Sequence, residues 1–272
     1  MYTLKRMSKT ILSLSENRSP DRGGLYHIVA ARLGTQIANG KLQSGLVLPN
    51  ENVLCEELGV SRTVLREAIK VLASKGLVEV RRKTGTRVRP ATDWSMLDAE
   101  VLAWIFAGPV VPETLAYLID FRKMIEPAAA RMATDSATPQ ELLKIDLAYR
   151  RMEEVANEVV PSVEADLSFH LAILEATHNP FLRSFGSLIR SALRGSFRYT
   201  SSNHALYLHS LKLHRAVFEA MKARDGALAE WAMVAMLTQT SSDIAEQSAW
   251  KAKSKATRSG SQQRHSKVKA SA

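Results

Sequence analysis

The sequence predicts a mainly α protein in two parts: three short helices closed by a small β-hairpin, then an all-α bundle. Three observations predict it. Between residues 24 and 90, capping residues and glycines punctuate three amphipathic stretches ahead of an alternating run around Gly85. From 99 to 248 no stretch alternates convincingly, and Pro112, Pro139, Pro161 and Pro180 stand where helices begin, positions at which a missing N–H is harmless. The charge is also partitioned. Residues 21–90 carry 12 basic and 6 acidic side chains, residues 91–250 carry 14 and 20, and residues 251–272 carry seven basic and no acidic ones. A basic head on an acidic body points to a polyanion met at one end only.

The head reads element by element. The first helix is "LYHIVAARLGTQIANG", with Ile28, Leu33 and Ile37 as its apolar stripe and Gly40 as its stop. "KLQSGLVLP" is a connector. Asn50 caps "ENVLCEELG", which ends at Gly59. Ser61 caps a third helix that runs to about Lys75 and stops at Gly76. "LVEVRRKTGTRV" then alternates at Val78 and Val80, and Gly85 supplies the positive φ of a tight hairpin. Three helices and a hairpin in this space make a winged helix-turn-helix.

Its third helix carries the chemistry. Leu65, Ile69 and Leu72, with Ala68 beside them, form a face that must be buried. Arg62, Arg66 and Lys70 follow at i, i+4, i+8 on another face, where like charges repel one another. Duplex DNA neutralises such a ridge, and its major groove admits one helix. Arg62, one residue past the cap, is placed to reach a guanine edge. The hairpin would lay Arg82, Lys83 and Arg87 along adjacent phosphates, with Gly85 allowing close approach.

Two features stand out in the bundle. Arg122 falls in the apolar stripe of Leu118, Ile125 and Ala129. A buried guanidinium needs an anion. That anion is either Glu126, four residues on, or the carboxylate of a ligand held in a cavity. Asp166 and His170 lie four apart on one helix face, as a surface pair or as two ligands of a divalent metal, and His214 could supply a third.

"LPNENVLCEELGVSRTVLREAIKVLASKGLVEVRRKTGTRV" resembles the DNA-binding domain of the GntR family of bacterial transcription regulators. The resemblance implies that Ser61, Arg62, Thr63 and Arg66 read the groove, with Gly85 at the wing tip; Asn52 stands where some members carry an arginine. The bundle resembles the ligand-binding FCD domain of the FadR-type branch, through "R-x-x-x-E-P-A-A-A", the Asp166/His170 pair, "HNP" and "H-R-x-V-F-E-A-M". In metal-binding members an Asp and three histidines surround a divalent ion, zinc or similar, that helps hold a small carboxylate effector. Asp166, His170 and His214 match three of these, and Met236 stands at the fourth place, where a thioether is a poor ligand for such ions.

The organisation expected is a flexible extension over 1–23, the winged helix over 24–90, a linker over 91–98, the effector-binding and dimerisation bundle over 99–248, and a basic disordered tail over 249–272. No apolar run reaches the ~18 residues of a membrane span, no secretory signal is read, and the lone Cys55 excludes an intrachain disulfide and fits a reducing cytoplasm. The function expected is a homodimeric regulator, a repressor, whose grip on operator DNA responds to a sugar acid bound at Arg122, Asp166, His170 and His214. Two rivals stand beside it. One is the same DNA role with an acyl thioester or other organic acid and no metal. The other is a metal-dependent hydrolase built on Asp166, His170 and His214, which would leave the basic head unexplained.

Overall fold

The computed structural model describes residues 24–108, 111–156, 158–200 and 204–269; the extension over 1–23 lies outside them. The chain divides into two compact units between Met96 and Leu97.

The head contains α1 (Leu25–Ala38), α2 (Glu51–Leu58), α3 (Arg62–Ser74) and the antiparallel pair β1 (Val78–Arg81) and β2 (Gly85–Val88). Asn50 Oδ1 accepts the Val53 N–H at 3.1 Å, and Ser61 Oγ accepts the Val64 N–H at 3.3 Å, so both expected caps form. Val29, Ala30, Leu33 and Ile37 of α1 pack with Leu54, Leu65, Ala68, Leu72, Leu77, Val78 and Val88 as the head's buried residues. Ile28, expected in that stripe, instead points outward at 65% exposure; Val29 and Ala30 take its place. Val80 is likewise 63% exposed, because the hairpin runs past the core before it turns. Residues 82–84 link the paired Arg81 and Gly85, and Gly85 takes the left-handed φ of 80° that this bulged turn requires.

The connector and the expected linker are both ordered against the head. Residues 45–48 of the connector line the free edge of β2: Leu48 N–H donates to Thr86 at 2.8 Å and Val88 N–H to Leu46 at 2.9 Å. The first half of the expected linker folds back on the end of α3. Ser95 N–H donates to the Lys75 carbonyl at 2.9 Å, Trp94 Nε1–H to Arg89 at 3.2 Å, and Arg89 pairs with Asp93 at 2.9 Å. Gly76 makes this possible, since a Cβ there would stand 2.1 Å from the Asp93 oxygen. The head therefore extends past the boundary expected at 90.

The second unit is α4 (Ala99–Ala107), α5 (Pro112–Ser136), α6 (Pro139–Glu154), α7 (Val159–Ala176), α8 (Pro180–Ser184), α9 (Gly186–Thr200), α10 (His204–Lys222) and α11 (Gly226–Lys269). The long α5 packs against α7, α9, α10 and α11. One core joins Ile145 and Met152 to Phe169, Ile173, Val217, Met221, Met233 and Met236; another joins Leu102 and Phe106 to Leu115, Ile119, Leu188 and Ile244. Pro180 opens the short α8, and Phe185, whose ring sits edge-on to Phe121 at 5.3 Å, separates it from α9. α11 runs on to Lys269.

The "HNP" stretch becomes a latch between α6 and α7. His178 adopts a φ of 56°, Asn179 Oδ1 caps α8, and Pro180 opens it. His178 Nε2–H donates to Glu141 at 2.9 Å, and Glu141 also accepts the Thr138 N–H at 2.8 Å in a capping box. The Thr138 N–H first, then His178, outweigh what burial costs the Glu141 carboxyl and hold it at about 2, below its ordinary 4.5. A depressed carboxyl stabilises above its unfolded value and loses that contribution as the pH falls toward the folded one. Glu141→Ala is therefore expected to cost about 1 kcal/mol at pH 7, as cap losses do. Urea unfolding at pH 7 and at pH 3.5 should show the gap to wild type narrowing at the lower pH; an unchanged gap would mean that the carboxylate charge plays no part.

Candidate functional site

On the head, α3 presents its N-terminal turn to solvent. Ser61, Arg62, Thr63, Arg66 and Lys70 are exposed, as are Arg82, Lys83 and Gly85 at the hairpin tip. The ridge is less bare than the spacing of its cations implies. Glu51, at the start of α2, accepts two hydrogen bonds from Arg66, from Nε at 3.1 Å and from Nη2 at 3.0 Å. Glu67 accepts from Lys70 Nζ at 2.7 Å. Arg62 forms no side-chain hydrogen bond or ion pair among the described residues. Arg87 is half-buried, and its Nη1–H donates to the Gly45 carbonyl at 3.0 Å; one arm of that guanidinium holds the connector rather than facing outward.

In the second unit three helices converge on one polar cluster. α5 supplies Arg122 and Glu126, α7 supplies Asp166 and His170, and α10 supplies His214. Arg122, Glu126, His170 and His214 are all at most 4% exposed. Arg122 donates from Nε to Glu126 Oε1 at 2.5 Å and from Nη2 to Oε2 at 3.3 Å, so the intrahelical partner weighed in the sequence is present. Glu126 also faces His170, whose Nδ1 comes to 2.5 Å from Oε2 without the alignment of a straight hydrogen bond. Burial would raise the Glu126 carboxyl, but Arg122 and His170 outweigh it and hold it at about 2.

The two histidines are oriented alike. His214 Nδ1 lies 2.7 Å from the Ser210 carbonyl, which only accepts, so Nδ1 carries a hydrogen and Nε2 is left to turn toward Asp166 Oδ1 at 3.0 Å. His170 turns Nδ1 to a carboxylate and Nε2 to the same Asp166 oxygen at 3.2 Å. One ligand atom from each of Asp166, His170 and His214 lies within 4.8 Å of the others. Histidines whose Nδ1 is anchored on a carbonyl or carboxylate while Nε2 faces a common centre have the arrangement of metal-binding imidazoles. The donor set, two nitrogens and a carboxylate, suits zinc and its neighbours. Burial pushes the Asp166 carboxyl up, but His214 and His170 hold it well below the carboxylate range. Burial pushes His170 down, and Glu126, helped by Asp166 and opposed by Arg122, brings it above its ordinary value. His170 Nε2 also lies 3.2 Å from Arg122 Nη2. When neutral, that nitrogen has one lone pair, available to an N–H of Arg122 or to a cation.

Residues 25–88 match the bacterial regulatory proteins of the gntR family, and residues 117–239 match the FCD domain. The chain is 34% identical over 219 residues to the galactonate operon transcriptional repressor of Escherichia coli K12, across 80% of this chain and 96% of that one. The chain belongs to the GntR family. This GntR protein is a DNA-binding transcription regulator with an FCD domain. It is also 30% identical to the transcriptional regulator LutR of Bacillus subtilis, over 74% of this chain and 93% of that one. The solved structure of Lar from Listeria monocytogenes shares the fold, with a TM-score of 0.62 at 19% identity over 85% of this chain and 99% of that one. These relatives are regulators and not enzymes, which sets the hydrolase reading aside.

Within this GntR protein, the structure brings Asp166, His170 and His214 together and sets Arg122 against His170. Met236 is buried in the core that also holds Phe169, and among the described residues no fourth His, Cys, Asp or Glu joins the three ligand atoms. Sequence reasoning did not find Glu51, which stands 15 residues from its partner Arg66 with no periodic signal to join them. It also did not find Ser210, although the residue four before a helical histidine on the same face offers a carbonyl acceptor that spacing can reveal.

Proposed function

We propose that this GntR regulator is a cytoplasmic homodimer that represses by occupying a pseudo-palindromic operator and releases it on binding a small carboxylate of the sugar-acid class. Ser61, Arg62, Thr63 and Arg66 read the major groove, and Lys70, Arg82, Lys83 and Arg87 contact phosphates around it, with Gly85 at the wing tip. Asp166, His170 and His214 hold one divalent ion, and Arg122 receives the effector's carboxylate with the donors that Glu126 leaves over. When bound, such an ion supplies a Lewis-acidic point of attachment for carboxylate and hydroxyl oxygens. The observation that carries this reading is the convergence of Asp166 Oδ1 with the Nε2 atoms of His170 and His214, the His214 ring held from behind by the Ser210 carbonyl and His170 Nδ1 facing Glu126. The likeness to a galactonate operon repressor supports a sugar acid over other carboxylates. An effector can shift operator affinity only by its unequal affinity for two settings of the dimer, about 1–3 kcal/mol in most such systems.

The test is metal analysis of the purified protein followed by a thermal-shift screen of aldonic and uronic acids with and without added zinc or manganese. Zinc or manganese alone should raise the melting temperature, and an effector at 100 times its Kd should add stability of about 2.7 kcal/mol. His214→Ala should remove the metal response. Protein that binds no ion and still responds to an organic acid would favour the metal-free alternative.

A further inference from the structure

We infer that Glu51 is a positioning residue for operator reading: it holds Arg66 by one edge of the guanidinium so that the other edge is presented to the duplex. The inference rests on the placement of α3 in the major groove.

An exposed ion pair contributes little to stability, and Arg66 and Glu51 are 63% and 47% exposed. Their geometry is nonetheless specific. Arg66 Nε and Nη2 both donate to the Glu51 carboxylate, at 3.1 and 3.0 Å, with Nε also 3.2 Å from the second oxygen. A guanidinium has two forks, one along the Nε–Nη2 side and one at the Nη1–Nη2 end. With the side fork on Glu51, the end fork points away from α2. An end fork is the geometry that pairs bidentately with guanine O6 and N7 or with a phosphate.

The backbone supports this. Glu51 is the first residue of α2, fixed by the Asn50 cap, and Arg66 lies one turn along α3 from Arg62. Arg62 also lowers the Glu51 carboxyl, though less than Arg66 does, so the acid is within electrostatic reach of both groove-facing arginines. A carboxylate there costs affinity for any polyanion, because it adds a negative charge to the surface that meets phosphates. It is useful only if what it does to Arg66 raises discrimination by more than it lowers general attraction. Specificity and affinity should therefore move in opposite directions when it is removed, which a residue that merely supports the fold would not do.

The test uses the full chain and a duplex selected by the wild-type protein from a random-sequence pool. Binding to that duplex and to an unselected duplex is measured over a series of salt concentrations for wild type, Glu51→Ala and Glu51→Gln. Glu51→Ala is expected to bind the unselected duplex severalfold more tightly and to steepen the slope of log K against log salt by about one ion. Its selected-to-unselected ratio should fall about tenfold, the size of one weakened base contact. Glu51→Gln, which keeps one acceptor oxygen, should recover part of the ratio but not the original slope. Melting temperatures of the variants keep a folding defect apart from a recognition defect. A selected duplex that Glu51→Ala discriminates as well as wild type does overturns the role of Glu51 alone. Failure of the wild type to select any sequence overturns the groove assignment beneath it.

Discussion

Arg62→Ala is expected to leave the fold intact and to remove most operator discrimination. Arg62 is the first residue of α3, is exposed, and forms no side-chain hydrogen bond or ion pair among the described residues, so truncating it breaks neither and loses only a longer-range attraction to Glu51. Its neighbours on the ridge are different: Arg66 is engaged by Glu51 and Lys70 by Glu67. Arg62 is thus the ridge cation whose hydrogen-bonding capacity is left for a partner. A bidentate arginine–guanine contact discriminates by about 1–3 kcal/mol, roughly five- to 150-fold in affinity. Fluorescence anisotropy against a selected and an unselected duplex should show the selected one losing that factor. The unselected one should lose only the weak attraction of one charge. Lys70→Ala should weaken both duplexes alike. If Arg62→Ala keeps the wild-type ratio, the N-terminal turn of α3 does not lie in the groove.

The difference between Arg62 and Arg66 also marks how far the sequence could be read. Both caps of the head, the stops at Gly59 and Gly76 and the left-handed turn at Gly85 are local events, written within a few residues of one another, and they appear where expected. Asp166 with His170, and Arg122 with Glu126, are one helical turn apart, so each pair could be seen; that the two pairs meet, and that His214 joins them, depends on how α5, α7 and α10 pack. Contacts across long separations were not legible. Glu51 reaches Arg66 over 15 residues, Arg87 reaches Gly45 over 42, and the His178–Glu141 latch spans 37. The order of the strap over 91–96 was not legible because it rests on contacts back to Lys75 and Gly76, and only the glycine at 76 admits the Asp93 backbone so closely.

The largest loss of stability should come from Glu126→Ala. Arg122 and Glu126 are each 2% exposed, and a buried pair of this kind contributes little net stability beyond what well-packed apolar residues would give. Breaking it is another matter, since the partner left behind is a desolvated charge; removing one member typically costs about 3–5 kcal/mol. The two members are not equivalent. Glu126 faces both Arg122 and His170, whereas Arg122 has Glu126 as its anion. Arg122→Ala leaves Glu126 beside an imidazole that can carry a proton, so it should cost clearly less than Glu126→Ala. Arg122→Ala should also keep DNA binding in the separate head while losing the response to a carboxylate effector. Replacing both, as Arg122→Met with Glu126→Leu, removes the stranded charge and should restore much of the stability lost in Glu126→Ala. Urea unfolding of the four proteins, followed by circular dichroism, measures each cost, and adding the Arg122→Ala/Glu126→Ala double variant closes the cycle that gives the coupling of the pair. A Glu126→Ala protein within 1 kcal/mol of wild type would show that water reaches Arg122, and the cluster would then be an open, solvated pocket instead of a sealed one.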